Sequence, residues 1–245
     1  MKLFAVGLGP GDSEYIAPEA KGVILQSDVI VGYTGYIELI PELIKGKEVI
    51  ATGMTAEVQR CEAAIDEALK GKVVCVVSSG DSGIYGMAAL LYELAEKHPQ
   101  IDIAVIPGIT AGVSAAALLG SPLTNDFAVI SLSDLLTPWE VIKKRLTACG
   151  EADMVICIYN PQSKKRQDYL KKATDIILNY KPAETPCGYV RNAFRGKETE
   201  SKVCYLSDLS ELAKTEVDMF TTVIIGNSCT KIINGKLVTT RGYKV

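Results

Sequence analysis

Three glycine-rich stretches, two of them carrying an aspartate, are the residues best suited to hold a small molecule. They are Gly7-Leu8-Gly9-Pro10-Gly11-Asp12, Ser78-Ser79-Gly80-Asp81-Ser82-Gly83-Ile84-Tyr85-Gly86 and Pro107-Gly108-Ile109-Thr110-Ala111-Gly112. Glycine turns the chain sharply and lets a ligand lie against the backbone. Each stretch follows a short apolar run rich in β-branched residues, Leu3–Val6, Val73–Val77 and Ile103–Ile106, as strands are. Ligands of open α/β sheets occupy the crevice beyond the carboxyl ends of the strands. Three such loops therefore imply a ligand held largely by main chain.

The first loop departs from the dinucleotide fingerprint G-x-G-x-x-G in ways that narrow the ligand. Its third glycine comes one residue early, Pro10 has no N–H for a pyrophosphate, and Asp12 brings a carboxylate to where a phosphate would sit. The second apolar run, Val29–Val31, leads into Gly32-Tyr33-Thr34-Gly35-Tyr36 without the acid that would bind a ribose. No phosphate-binding G-x-x-x-x-G-K-[ST] occurs. A positively charged, phosphate-free cofactor fits these acidic loops better, and S-adenosylmethionine has that chemistry.

The elements that position these loops follow from the hydrophobic pattern. Strand-like runs at Leu3–Val6, Val29–Val31, Glu48–Ala51, Val73–Val77 and Ile103–Ile106 alternate with helix-like stretches at Ser13–Gln26, Tyr36–Ile44, Ala56–Lys70 and Gly83–Lys97. In the third helix Val58, Cys61, Ile65 and Leu69 recur at three- and four-residue spacing. This rhythm predicts a mainly parallel sheet with helices on its faces. A turn-rich segment, Gly120–Asp126, divides the expected lobes into 1–121 and 122–245. The second lobe has expected strands at Phe127–Leu132, Met154–Tyr159, Gly188–Val190, Lys202–Tyr205 and Thr222–Ile225, and helices at Pro138–Ala148, Arg166–Asn179 and Asp208–Lys214. Asn234-Gly235 within Ile232–Val238 marks a type I′ hairpin. The fold class is α/β, in two lobes with a ligand cleft between them.

Bulk composition excludes several functions. The 245 residues are 48% hydrophobic and 22% charged, ordinary for a globular protein, and the net charge of -3 opposes nucleic-acid binding. Seven cysteines without a C-x-x-C pair read as reduced thiols, and a strand beginning at once after Lys2 leaves no room for a targeting segment, so a cytoplasmic location is expected. No apolar run is long enough to span a membrane. The single histidine, His98, rules out a multi-histidine metal site, and no metal site is expected.

The three loops, in their order and spacing, resemble the tetrapyrrole (corrin/porphyrin) methyltransferase superfamily over essentially the whole chain. Ile130-Ser131-Leu132-Ser133-Asp134-Leu135-Leu136-Thr137-Pro138-Trp139-Glu140, Tyr159-Asn160-Pro161-Gln162-Ser163-Lys164 and Asp218–Asn227 are similar to its C17-methyltransferase branch in cobalamin biosynthesis. That branch acts on precorrin-3B in the oxygen-dependent route or on cobalt-factor III in the anaerobic one, with coupled ring contraction. The alternative within the same fold is methylation of another corrin carbon or of a non-tetrapyrrole target. The resemblance implies S-adenosylmethionine as cofactor, S-adenosylhomocysteine as product, a tetrapyrrole as substrate and a homodimer, with no nucleic-acid or membrane partner. It also implies cofactor contacts at Pro10, Gly80, Asp81, Ile84, Thr110, Ala111, Asn160 and Ala193, with Thr221 and Thr222 framing adenine where many superfamily members have Pro-Ala.

The remaining polar residues have competing readings. Asp81 reads as a ligand contact or as the N-cap of a helix from Gly83. Lys164, Arg166 and Arg191 read as partners for the carboxylates of a polycarboxylate substrate, against a solvated-face reading for the lysine-rich run. Trp139 reads as helix-start packing rather than substrate stacking. Methyl transfer needs alignment more than acid–base help, whereas ring contraction needs proton control. Asp134 and Ser131 are the expected catalytic groups for that proton.

Overall fold

The computed structural model describes residues 1–163, 167–212 and 214–244. Packing divides the chain into two compact units, Met1–Thr110 and Ala111–Val245.

In the first unit, β1 (Lys2–Gly7), β2 (Val29–Tyr33), β3 (Glu48–Thr52), β4 (Val74–Ser78) and β5 (Asp102–Ile106) form one sheet in the order β3-β2-β4-β1-β5. All its pairings are parallel. Helices α1 (Pro18–Gln26), α2 (Thr34–Ile37), α3 (Glu57–Leu69) and α4 (Ala88–Ala95) connect the strands. Both faces of the sheet are covered, which explains why its strands read as continuous apolar runs. Leu3, Val29, Val31, Val74 and Val76 pack with Cys61, Ile65 and Leu91 on one side. Val6, Ile30, Cys75 and Val77 pack with Ala20 and Ile24 on the other. The expected α3 stripe shifts slightly: Cys61, Ala64, Ile65 and Ala68 are buried, while Val58 faces solvent.

Three expected helices of this unit are shorter than the hydrophobic pattern implied, and the one expected at Tyr36–Ile44 is the single turn α2. Ser13–Tyr15 is a separate 3-10 turn capped by Asp12, and α1 starts only at Pro18, because a residue preceding proline is pushed out of helical conformation. The helix expected from Gly83 starts at Ala88. Tyr85 has φ 54°, and Gly86 is pressed against the Ser82 backbone, so the intervening segment is a folded loop.

In the second unit, α5 (Ala111–Leu119) leads to β6 (Gly120–Ser121), β7 (Phe127–Ser131), α6 (Trp139–Glu151), β8 (Val155–Tyr159), α7 (Tyr169–Ile177), β9 (Pro186–Arg191), β10 (Glu200–Tyr205), α8 (Leu209–Leu212), β11 (Thr221–Ile225), β12 (Thr230–Ile233) and β13 (Lys236–Thr239). The main sheet runs β10-β9-β11-β8-β7, antiparallel except for the β7/β8 pair. A small sheet runs β12-β13-β6. Asn234 and Gly235 have φ 50° and 73°, the two left-handed residues that a type I′ hairpin requires. The division expected at 121/122 falls later than the one between the compact units, beyond α5. That helix packs into the second sheet too closely to leave it: a Cβ on Gly112 would lie 2.8 Å from Cys157 Sγ, and one on Gly188 would lie 2.7 Å from Leu119 Cδ2.

One buried charge ties three connections of this unit together. Lys181, only 3% exposed, donates from Nζ to Asp153 Oδ1 at 2.9 Å, and the Ser228 N–H meets both carboxylate oxygens at 3.2 Å. Burial raises the Asp153 carboxyl, but hydrogen bonds from Ser228 and Lys181 and the ammonium charge outweigh it and hold the group below its ordinary value. Such a group contributes stability that is complete above its unfolded value, about 3.9, and is lost as pH falls through the folded value. Asp153→Asn is expected to cost about 2–3 kcal/mol at neutral pH, less than a fully buried pair because Asp153 is half exposed. Urea melts across pH should show that deficit shrinking below pH ~4; a deficit independent of pH would exclude the charge pair as its origin.

Candidate active site

The three glycine loops leave the carboxyl ends of β1, β4 and β5, which are adjacent strands. Their backbones touch directly. Gly9 and Gly80 exchange hydrogen bonds, N–H to O at 3.0 Å and 2.7 Å, and the Leu8 N–H donates to Ser78 O at 2.8 Å. A Cβ on Gly7 would sit 2.6 Å from Gly80 O and 2.7 Å from Gly108 N. A Cβ on Gly108 would strike Gly80 O and Gly7 C. These glycines are therefore required by one another, before any ligand is considered. Gly80 itself has φ 68°, a conformation that side chains strain.

Of the two readings of Asp81, the structure sets aside the helix N-cap. Oδ1 accepts the Gly83 N–H at 2.8 Å, and Oδ2 accepts the Gly108 N–H at 2.9 Å. It is not a helix N-cap, since no helix begins at Gly83. It ties the second loop to the third. Asp12 likewise caps its own turn through Glu14 N–H at 3.1 Å. Pro10 is buried in the first loop, Ile84 is exposed at the rim of the second, and Thr110 ends the third half-buried.

In the second unit, Ala111 opens α5. Ser131 ends β7, and its Oγ accepts from Asn160 Nδ2 at 3.0 Å and from the Ser133 N–H at 3.2 Å. Asn160 lies just past β8 with φ 50°. Asp134 Oδ2 accepts from the Tyr169 hydroxyl at 2.6 Å. The Tyr169 ring lies against Trp139, centroids 4.7 Å apart, and beneath the Lys172 ammonium at 4.9 Å. Trp139 is thus half-buried helix-start packing, as its position predicts. Ala193 is half-buried in a turn between Asn192 and Phe194, both with positive φ. Thr221 and Thr222 are buried at the start of β11, and the Thr221 hydroxyl donates to Asp218 Oδ1 at 3.0 Å. Lys164 and Arg166, and the expected helix start at Arg166, lie outside the described residues.

Among the described residues of this unit, two buried polar atoms lack partners, Gln162 Oε1 and Arg191 Nε. The Arg191 guanidinium otherwise makes one long contact, Nη2 to Glu200 Oε1 at 3.4 Å. A buried donor and a buried acceptor without partners are costly, and a bound ligand can supply what is missing. Sequence reasoning missed Gln162 and Tyr169. Gln162 stood within a quoted motif, but only burial distinguishes it from a surface glutamine. Tyr169 is thirty-five residues from Asp134, a pairing that no local pattern contains.

The chain matches the model of the tetrapyrrole (corrin/porphyrin) methylases over residues 2–210, and it belongs to that family. It is 46% identical to the probable cobalt-factor III C(17)-methyltransferase of Salmonella typhimurium, covering 98% of this chain and 99% of that one. It is 47% identical to the protein of the same description from Methanocaldococcus jannaschii, covering 98% and 97%. Among solved structures, the methyltransferase CobJ superposes with a TM-score of 0.90 at 33% identity, covering 97% and 99%.

Gly108→Ala is expected to lower stability by about 1–3 kcal/mol, because the new methyl group meets only backbone that has nowhere to move. Gly83→Ala, whose Cβ meets only Asp81 Oδ1 at 3.2 Å in an exposed turn, should stay within about 0.5 kcal/mol. Paired urea melts check this; equal effects would show that the loops do not depend on the glycine contact.

Proposed function

We propose that the protein is an S-adenosylmethionine-dependent methyltransferase that methylates C17 of cobalt-factor III, with coupled ring contraction, in cobalamin biosynthesis. The observation that carries this reading is full-length likeness to two proteins described as probable cobalt-factor III C(17)-methyltransferases, joined to a fold whose glycine loops bring backbone together at one sheet edge. Precorrin-3B is the corresponding metal-free substrate. Cobalt, where present, would arrive within the substrate.

The residues fit such a cofactor. Gln162 Oε1 is a buried acceptor awaiting a donor, as an amino-acid ammonium would be, and the loops that hold Pro10, Gly80 and Thr110 offer main chain without a pyrophosphate cradle. When bound, the cofactor supplies a methyl group already activated on a sulfonium. The chain's own work is then alignment and proton control. Thr110, Ala111, Asn160, Ala193, Thr221 and Thr222 would hold the cofactor. Arg191 would meet a substrate carboxylate through the donor left open at Nε. Asn160 and Ser131 hold each other, so Ser131 is oriented by the residue beside the cofactor. Asp134, fixed by the Tyr169 hydroxyl, would take or return the proton that ring contraction moves. A homodimer in the cytoplasm belongs to the same proposal, and sedimentation velocity tests the dimer.

Incubation with methyl-labelled S-adenosylmethionine and either cobalt-factor III or precorrin-3B, with product masses read by mass spectrometry, tests the reaction. Transfer of label to a contracted macrocycle is expected; no transfer to either tetrapyrrole would overturn the proposal. Asp134→Asn keeps an acceptor for Tyr169 and removes the charge. It should consume cofactor at near wild-type rate yet accumulate methylated, uncontracted product, with contraction slowed about 10²–10⁴-fold. Wild-type yields of contracted product would remove Asp134 from proton transfer.

A further inference from the structure

Among the described residues three charged side chains are buried: Arg60, Glu67 and Lys181. Glu67 is paired with Lys70 and Lys72, and Lys181 with Asp153. Arg60, only 4% exposed, forms no ion pair with any described residue. Its Nε donates to Thr52 Oγ1 at 2.7 Å, its Nη2 to Gly53 O at 2.9 Å and its Nη1 to Met87 Sδ at 3.7 Å. All three acceptors are neutral, and the thioether is a weak one. A guanidinium removed from water without an anion is expensive. Two oxygen dipoles offset part of that cost and leave the charge itself unmatched.

The position of this charge gives it a use. Arg60 stands in the first turns of α3. Thr52 is the last residue of β3, and Met87 directly follows the second glycine loop. The guanidinium therefore joins two exits at the carboxyl edge of the parallel sheet, where ligands of such sheets bind. Its covering is soft: Met87 is a flexible, polarisable side chain, and the adjoining Gly53, Met54 and Thr55 are exposed. Nη1, which meets the Met87 thioether at 3.7 Å, is the nitrogen held least firmly.

We infer that Arg60 is a substrate-carboxylate anchor, a specificity residue that pairs with one peripheral carboxylate of the tetrapyrrole when Met87 moves aside. The inference rests on the proposed function for the class of substrate. No bond to carbon changes at Arg60, so it binds the substrate and leaves the reacting atoms to other residues.

Arg60→Met keeps much of the volume and removes the charge, and Arg60→Lys keeps the charge but loses the planar fork. Both would be compared with the wild type for binding of S-adenosylmethionine, for KM and kcat with cobalt-factor III, and for the ratio of activity on the free acid to that on its peripheral methyl esters. Arg60→Met is expected to raise KM about 10–100-fold, to leave cofactor affinity within about 2-fold and to flatten the preference for the free acid. Arg60→Lys should fall between the two. Unchanged KM and unchanged acid-to-ester preference in a folded Arg60→Met variant would reduce Arg60 to a tether of the β3–α3 turn. Parallel loss of stability and cofactor affinity, without a change in acid-to-ester preference, would overturn the inference in the same way. Should Arg60→Met not fold, a wild-type KM and preference in Arg60→Lys decides against it. A wild-type protein that turns over no tetrapyrrole would fail the proposed function itself, whereas wild-type turnover with an insensitive Arg60 fails this inference alone.

Discussion

The first unit is organised by a contact with no side chain in it. Gly7, Gly80 and Gly108 meet backbone to backbone where β1, β4 and β5 end, at distances that exclude even a methyl group on Gly7 or Gly108. The contact places three loops side by side, and the Asp81 carboxylate then locks two of them with charge-assisted hydrogen bonds to Gly83 and Gly108 N–H groups. The loops are ordered before a ligand arrives, so binding does not have to supply their conformational entropy. Each Asp81 oxygen accepts one of these bonds and keeps acceptor capacity for a further donor.

The second unit meets the same requirement with side chains. Its sheet is mostly antiparallel, so fewer strand ends converge on one edge, and polar residues take the place of packed backbone. Ser131 and Asn160 hold each other across the parallel β7/β8 pair, Tyr169 fixes Asp134, and the Gly112 N–H at the start of α5 donates to the Tyr159 hydroxyl at 2.6 Å. Side-chain pairs can exchange partners and protons in ways that packed backbone does not. A reaction that first aligns a methyl group and then moves a proton would draw on both kinds of surface.

The strands of the first unit were legible in the sequence because most are β-branched apolar runs closed by glycine or a turn, whereas β6, Gly120-Ser121, lay unseen in the turn-rich segment. Helix starts were less legible. Gly83–Met87 carries no local mark that separates a helix from a folded loop; the deciding facts are the crowding of Gly86 on Ser82 and the two ties of Asp81, both tertiary. The division of the chain was misleading for a related reason. Gly120–Asp126 has the composition of a linker, yet the close fit of Gly112 and Gly188 against Cys157 and Leu119 assigns α5 to the second unit. Within the site, glycines announced themselves because their constraint is local. Gln162, Tyr169 and Arg60 did not, since what marks them is an unmatched atom or a distant partner.

Charge placement in this acidic chain now has a physical logic. A net charge of -3 is a poor general attractor for a polycarboxylate, so recognition must come from individual cations whose field is not cancelled nearby. Lys181 and Lys72 fail that test because each already faces a carboxylate. Arg191 passes in part: its only ion-pair contact is long, and one buried donor remains open. The three Arg60 nitrogens meet only neutral acceptors, although Glu57 stands in the same first turn of α3. For the proposed roles a guanidinium suits better than an ammonium, since its planar fork fixes the direction of a carboxylate as well as meeting its charge. On the proposed reading, a carboxylate held by one such fork would limit how the macrocycle turns in its own plane, and a methyltransferase that chooses one ring carbon among several of similar reactivity needs that limit.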